Sequence, residues 1–319
     1  MAKIKMNYNE QLSLKDGCEK YLEDCRIRNL REGTINHYRQ SYLMFYKYVD
    51  NTLDIRCFNE NMYNGYVKWL KERLSNDVSI NSYLRDIITT VHLWMNNGWI
   101  REFKMRAIRI DKTNVETYSD EELVKLLKKP DLKEVSFMDY QSWVMTCFLF
   151  CTGVRQRSLI NIKIKDVDFE NGVIYVNVTK TRKPLIVPMN KTLEQTLKEF
   201  LSIRPFKSYD EYLFCNVFGN QLCKSTSYHI LYYYNKNRGV ETTGLHRYRH
   251  TFAKQWIING GNVVSLSKML GHSSLSITQN YINLLVSDLS KEVDSLNLLD
   301  KFQNKDKRKI NLKKQLEVK

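Results

Sequence analysis

The sequence predicts a mainly α-helical protein of two domains, an N-terminal helical bundle followed by a mixed α+β domain with a small β-sheet. Three observations carry that prediction. A chain of 319 residues exceeds what one compact core ordinarily holds. Apolar side chains recur at steps of three and four through residues 12–100. A β-branched stretch, Val173-Ile174-Tyr175-Val176-Asn177-Val178, then breaks the helical pattern in the second half.

The bundle reads as four helices. Ser13 and Asp16 have the spacing of a capping box, and Leu14, Cys18, Tyr21, Leu22 and Cys25 follow on one face. Ile35, Tyr38, Tyr42, Phe45 and Val49 mark a second helix, with Thr34 as its expected cap. Tyr63, Val67, Leu70 and Leu74 mark a third, and Ile80, Leu84, Ile87, Val91 and Trp94 a fourth. Gly33 and Asn96-Asn97-Gly98 are the expected breaks.

Residues 106–117 have no sustained period and many polar side chains. The boundaries drawn from this are a helical domain at 1–110, a linker at 111–118, a second domain at 119–302 and a basic tail at 303–319. Ser119 and Glu122 form another capping box, opening a helix that stops near Pro130. Leu185-Ile186-Val187-Pro188 follows the first strand after six residues, which puts Lys180 at or beside a hairpin. A helix is predicted from His246 to a glycine stop at Gly260-Gly261.

The formal charge of +15 and pI near 9.3 call for a polyanionic partner, nucleic acid or an acidic membrane surface. The charge is shared along the chain. Residues 1–112 hold nineteen basic against fourteen acidic groups, and residues 301–319 eight against two. No apolar run reaches membrane-spanning length and the first residues lack a signal-peptide core, so a cytoplasmic, nucleoid-associated protein with no membrane partner is expected. Seven cysteines without a Cys-x-x-Cys pair read as reduced and mostly buried. His246 and His250 have the spacing of zinc ligands, but Arg247 and Arg249 beside them would repel a cation; no metal is expected.

Six residues of the second half carry chemistry: Arg155, Lys180, His246, Arg249, His272 and Tyr281. An arginine offers a phosphate two donors in a planar fork and never loses its charge. His246 and Arg249 lie three apart on one helix, so one face presents a proton-transfer group beside a charge clamp. Each residue alone has an ordinary reading: Tyr281 is one of twenty tyrosines, and Lys180 sits with Arg182 and Lys183 in what could be an exposed turn.

Their order and intervals are more specific. Thr152-Gly153-Val154-Arg155, then His246-Arg247-Tyr248-Arg249-His250-Thr251-Phe252-Ala253, then Leu270-Gly271-His272, with Tyr281 nine residues on, resemble the motifs of the tyrosine recombinase (phage integrase) family. The resemblance implies a two-domain DNA clamp, with a SAM-like core-binding domain and a catalytic domain. It implies that Tyr281 attacks the scissile phosphate to give a 3′ phosphotyrosyl bond, with Arg155 and Arg249 holding the phosphate and a histidine as base. Lys180 would protonate the leaving oxygen and His272 would hydrogen-bond the phosphate. No metal, cofactor or ATP is implied, and four protomers would act on two double-stranded DNA sites. The compact length is similar to that of Xer or mobile-element enzymes.

One departure stands out: the family commonly has an acidic residue three positions after the first arginine, and here that residue is Ser158. Residues 284–302, rich in leucine, suit docking either on a neighbouring subunit or on their own domain. The rival readings are a type IB topoisomerase-like relaxase and a DNA-binding regulator without catalysis.

Overall fold

The computed structural model describes residues 12–110, 116–180, 182–241, 243–272, 274 and 278. The chain divides into two compact units, Met1–Thr113 and Asn114–Lys319.

Among the described residues the first unit holds four α-helices, α1 (Leu14–Ile27), α2 (Glu32–Phe45), α3 (Glu60–Arg73) and α4 (Asp77–Asn96). Ser13 caps α1 in the expected box, its hydroxyl accepting from the Asp16 backbone N–H. The apolar faces meet in one core, where Leu22, Phe45, Leu70, Leu84 and Trp94 are fully buried. Polar links cross between α2 and α4. Tyr42 and Thr90 share a hydrogen bond of 2.7 Å, and Ser41 donates to the buried Asp86 carboxylate, which also faces His37 at 3.0 Å. Asn81 then fastens the chain leaving the bundle, donating to the Ile108 carbonyl at 2.7 Å and accepting from its N–H at 2.9 Å.

Three expectations for this unit need correction. Thr34 is not a cap: α2 begins at Glu32 with Arg31 in the capping position, so Thr34 and Gly33 both lie inside its first turn. Glycine there costs the helix little, because the first turn has few intrahelical bonds to weaken. Val49 lies beyond α2, buried in the turn that follows it.

The second unit opens with α5 (Asp120–Leu127), capped by Ser119 and Glu122 as expected. α6 (Phe137–Thr152) is buried on nearly every side, as a mostly apolar helix must be, and forms the axis of the unit. The short α7 (Gln156–Leu159) follows. Among the described residues the sheet has three antiparallel strands in the order β1 (Val167–Asp168), β2 (Val173–Val176) and β3 (Leu185–Pro188), with Val173 opposite Pro188 and Val176 opposite Leu185. β1, only two residues long, leaves no periodic signal in the sequence. The unit continues with α8 (Lys191–Ile203), α9 (Lys224–Asn237), α10 (Leu245–Ile258) and α11 (Val263–Leu270).

The cysteines are less buried than expected. Cys18, Cys25 and Cys215 are buried, Cys147 and Cys151 partly so, and Cys57 and Cys223 are exposed; all seven are free thiols. No helix among the described residues is long and apolar enough to cross a membrane.

Candidate active site

The site is assembled from three chain reversals around α10. The first ends α6. Thr152 turns its hydroxyl back to the Phe148 carbonyl at 2.6 Å, and Gly153 takes the left-handed conformation at φ 60°. A Cβ at Gly153 would lie against Phe252 and 2.8 Å from Leu270 Cδ2, so the position demands glycine for both conformation and space. The reversal delivers Arg155 to the N-terminus of α7 and turns the Gly153 carbonyl toward α10.

The second reversal ends α11. Gly271, at φ 59°, closes the helix, and the His272 N–H bonds the Ser267 carbonyl at 3.0 Å in a Schellman-type arrangement. The Leu270 carbonyl points instead at the arginines: Arg249 Nη2 donates to it at 2.8 Å and Arg155 Nη1 approaches it at 3.5 Å. A helix C-terminus carries partial negative charge, so it is a natural seat for cations.

Arg249 is almost wholly buried, 4% exposed, and its guanidinium joins all three segments. Nη1 donates to the Gly153 carbonyl at 2.8 Å, and Nη2 to the Leu270 carbonyl and to His272 Nε2, each at 2.8 Å. His272 Nδ1 lies 2.8 Å from the hydroxyl of Thr278, a residue with no exposed surface.

The third reversal is the connection between β2 and β3, which carries Lys180. It is tied at its base: Ser158 donates to the Val178 carbonyl at 2.8 Å, and Thr179 to the Lys183 carbonyl at 2.7 Å. Ser158, the departure from the acidic residue common in the family the motifs resemble, therefore holds the lysine-bearing connection.

A cavity of about 260 Å³ opens where these segments meet. Arg155, Arg249, His272, Ser158, Thr179 and Lys183 are among its lining residues, and among the described residues no carboxylate is. Desolvation, then Arg249, Arg155 and Lys180, hold His246 below the ordinary histidine value. His272 is held down to about 4, by desolvation first and then by Arg249 and Arg155.

Of the six residues singled out in the sequence, Arg155, Arg249 and His272 come together in hydrogen-bonding range. His246 shares α10 with Arg249 and feels the charges of both arginines and Lys180. Lys180 is exposed on its connection and is absent from the cavity lining, whereas Lys183 is part of it. Tyr281 lies outside the described residues. Sequence reading missed Thr278 and the Gly153 and Leu270 carbonyls; of these only Thr278 has a side chain by which it could have been noticed.

Comparison with known proteins agrees with this architecture. Residues 13–110 match the phage integrase SAM-like domain and residues 116–287 the phage integrase family. The chain belongs to the phage integrase family of tyrosine recombinases, enzymes of site-specific recombination. It is 30% identical over 200 residues to tyrosine recombinase XerA of Pyrococcus furiosus, covering 62% of this chain and 67% of that one. It is 24% identical over 282 residues to XerC of Staphylococcus aureus, covering 86% and 93%. In fold it is similar to the Tn1549 transposon integrase solved with transposon right end DNA, at a TM-score of 0.69 and 20% identity over 88% of this chain and 99% of that one.

Proposed function

We propose that the chain cleaves and rejoins double-stranded DNA through a 3′ phosphotyrosyl intermediate, with Arg155, Lys180, His246, Arg249, His272 and Tyr281 as its working residues. The observation that supports this most is the convergence of two arginines and a histidine on one cavity that no carboxylate lines among the described residues. Such a cavity suits an anion, and two guanidiniums suit the charge that builds on a phosphate in its pentavalent transition state.

The chemistry balances without a cofactor. Tyr281 attacks phosphorus and gives its proton to His246, whose pKa burial and then the surrounding cations lower, favouring the neutral ring that can accept one. The bond to the 5′ oxygen breaks, and Lys180 supplies the proton that lets it leave as a hydroxyl. The bond energy is kept in the phosphotyrosyl link, so the reversed step reseals DNA with no ATP. The arginines supply the charge neutralisation that a metal ion supplies elsewhere, so cleavage should survive EDTA.

The direct test is Tyr281→Phe, which removes only the attacking oxygen. DNA binding should persist while the covalent adduct vanishes from a denaturing gel. An undiminished adduct would falsify the nucleophile assignment.

Four protomers would act on two DNA sites, in the cytoplasm at the nucleoid. A contact between copies is supported by an apolar groove of about 600 Å³, lined by Phe252, Trp256, Met269, Pro188 and Met189 among others. Residues 284–302 of a neighbouring copy, with Leu284, Leu285, Leu289, Val293 and Leu296, are its occupant in this reading. Ending the chain after Asn283 should leave binding to a single DNA site and abolish the four-protomer complex. A tetramer that forms regardless would reject it. The domain boundaries proposed are 1–110, 111–118, 119–302 and 303–319.

A further inference from the structure

His272 is held from both sides. Nε2 lies 2.8 Å from Arg249 Nη2, and Nδ1 lies 2.8 Å from Thr278 Oγ1. A guanidinium has only N–H donors, so Nε2 must be the lone-pair nitrogen. Nδ1 then carries the ring's proton, and the Thr278 hydroxyl accepts it. The ring is neutral near pH 7, because desolvation and then Arg249 and Arg155 hold its pKa near 4. Among the described residues, the charged groups around it are Arg249 from α10, Arg155 from the start of α7, and Lys183 from the β2–β3 connection lining the same cavity. In this tautomer the ring turns a lone pair to Arg249. A phosphate oxygen is also an acceptor, so His272 can bond one through Nε2 only if the proton moves there.

We propose that Thr278 is a positioning residue that sets the tautomer of His272 and lets it reverse when a phosphate enters the cavity. The proposal rests on the recombinase site described above. A hydroxyl is suited to the task because it accepts from Nδ1–H before reversal and donates to bare Nδ1 after it. The protons balance: Nε2 takes one from cavity water as Nδ1 releases one to water, and the ring's charge is unchanged. Arg249 Nη2 then directs its N–H to the phosphate oxygen in place of Nε2. Serine keeps both hydrogen-bonding roles, and valine, nearly the same shape as threonine, keeps neither. Thr278 stands three residues before Tyr281, so the stretch that presents the nucleophile also sets the histidine.

Nitrogen-15 NMR of the histidine-labelled full chain reads the tautomer directly, with Thr278→Val and Thr278→Ser as variants and His272→Gln to assign the signals. The free protein should show a protonated Nδ1 and a bare Nε2. Inorganic phosphate should move the proton to Nε2 in wild type and Thr278→Ser, but not in Thr278→Val. On a nicked DNA duplex that traps the covalent adduct, Thr278→Ser should cleave within about twofold of wild type, and Thr278→Val about tenfold more slowly at equal DNA affinity. The Thr278→Val deficit relative to wild type should shrink as pH falls toward 4, where a doubly protonated ring presents Nε2–H unaided. Should Thr278→Val not fold, Thr278→Ala removes the same hydroxyl. A protonated Nε2 in the free protein would overturn the proposal. So would equal slowing by serine and valine, or wild-type cleavage by the valine variant. Absence of adduct from every protein, wild type included, would instead reject the recombinase reading, and the NMR result would still decide the tautomer.

Discussion

The Gly153 carbonyl oxygen accepts a 2.8 Å hydrogen bond from Arg249 Nη1, joining the turn that presents one arginine to the helix that presents the other. The bond exists because α6 ends in a left-handed residue packed against Phe252 and Leu270. The small residue of the Thr-Gly-Val-Arg motif therefore shapes the site through its backbone conformation and its carbonyl.

Gly153→Ala should be severely destabilising. A side chain in the left-handed region costs about 1–2 kcal/mol, and overpacking against Phe252 and Leu270 adds about 1–3 kcal/mol. Chemical denaturation should show the combined loss, with cleavage falling alongside it. A variant within about 0.5 kcal/mol of wild type would mean that the turn relaxes freely and that the motif's glycine is not structural.

Arg249→Lys keeps the charge and loses the fork. One ammonium cannot satisfy the Gly153 carbonyl, the Leu270 carbonyl and His272 Nε2 together, since the first takes Nη1 of the guanidinium and the other two take Nη2. Cleavage should fall by about 10²–10³, the usual cost of removing a placed transition-state donor, and DNA affinity should change far less. Near-normal cleavage by the lysine variant would show that charge alone suffices.

Stability should fall as pH drops from about 6.5. Burial and neighbouring cations lower His250 and His272 to about 4, against 6.5 for an ordinary histidine. Between those values the unfolded chain takes up protons that the folded chain refuses, so acid favours unfolding. The contribution is fully present above pH 6.5 and is lost toward pH 4. His250→Gln, which leaves the six proposed working residues in place, should flatten the decline of denaturation midpoint between pH 7 and pH 5. A decline parallel to wild type would assign the effect elsewhere.

Much of this was legible in the sequence, for reasons that differ along the chain. The helices of the first unit could be read because Ser13, Leu22, Phe45 and Trp94 follow the rules of capping and periodicity. The start of α2 could not, because Arg31 makes no side-chain cap and Thr34 looked like a better one. Arg155, Arg249 and His272 stood out through motif spacing, and the fold brings them together. What holds them does not show in a sequence: the Gly153 and Leu270 carbonyls are backbone atoms that any residue has. Ser158 was noticed only as a missing carboxylate, and its bond to the Val178 carbonyl emerges from the fold.

Lys180 has the most exacting prediction, because Lys183, and not Lys180, lines the cavity while Lys180 still acts on His246 through charge. If Lys180 protonates the leaving 5′ oxygen, Lys180→Ala should cleave ordinary DNA poorly and recover when that bridging oxygen is replaced by sulfur. A thiol has a pKa of about 8.5 and its thiolate departs unaided, whereas an alkoxide is far more basic. Arg155→Ala should not recover on the same substrate, since the charge on the non-bridging oxygens is unchanged. Lys183→Ala should lose cleavage on oxygen and sulfur substrates alike if it only steadies the phosphate. Ser158→Ala, which frees the Val178 carbonyl and loosens the connection, should resemble a mild Lys180→Ala and be rescued in the same direction. Sulfur rescue of Lys183→Ala with none for Lys180→Ala would transfer the proton donor's role from one lysine to the other.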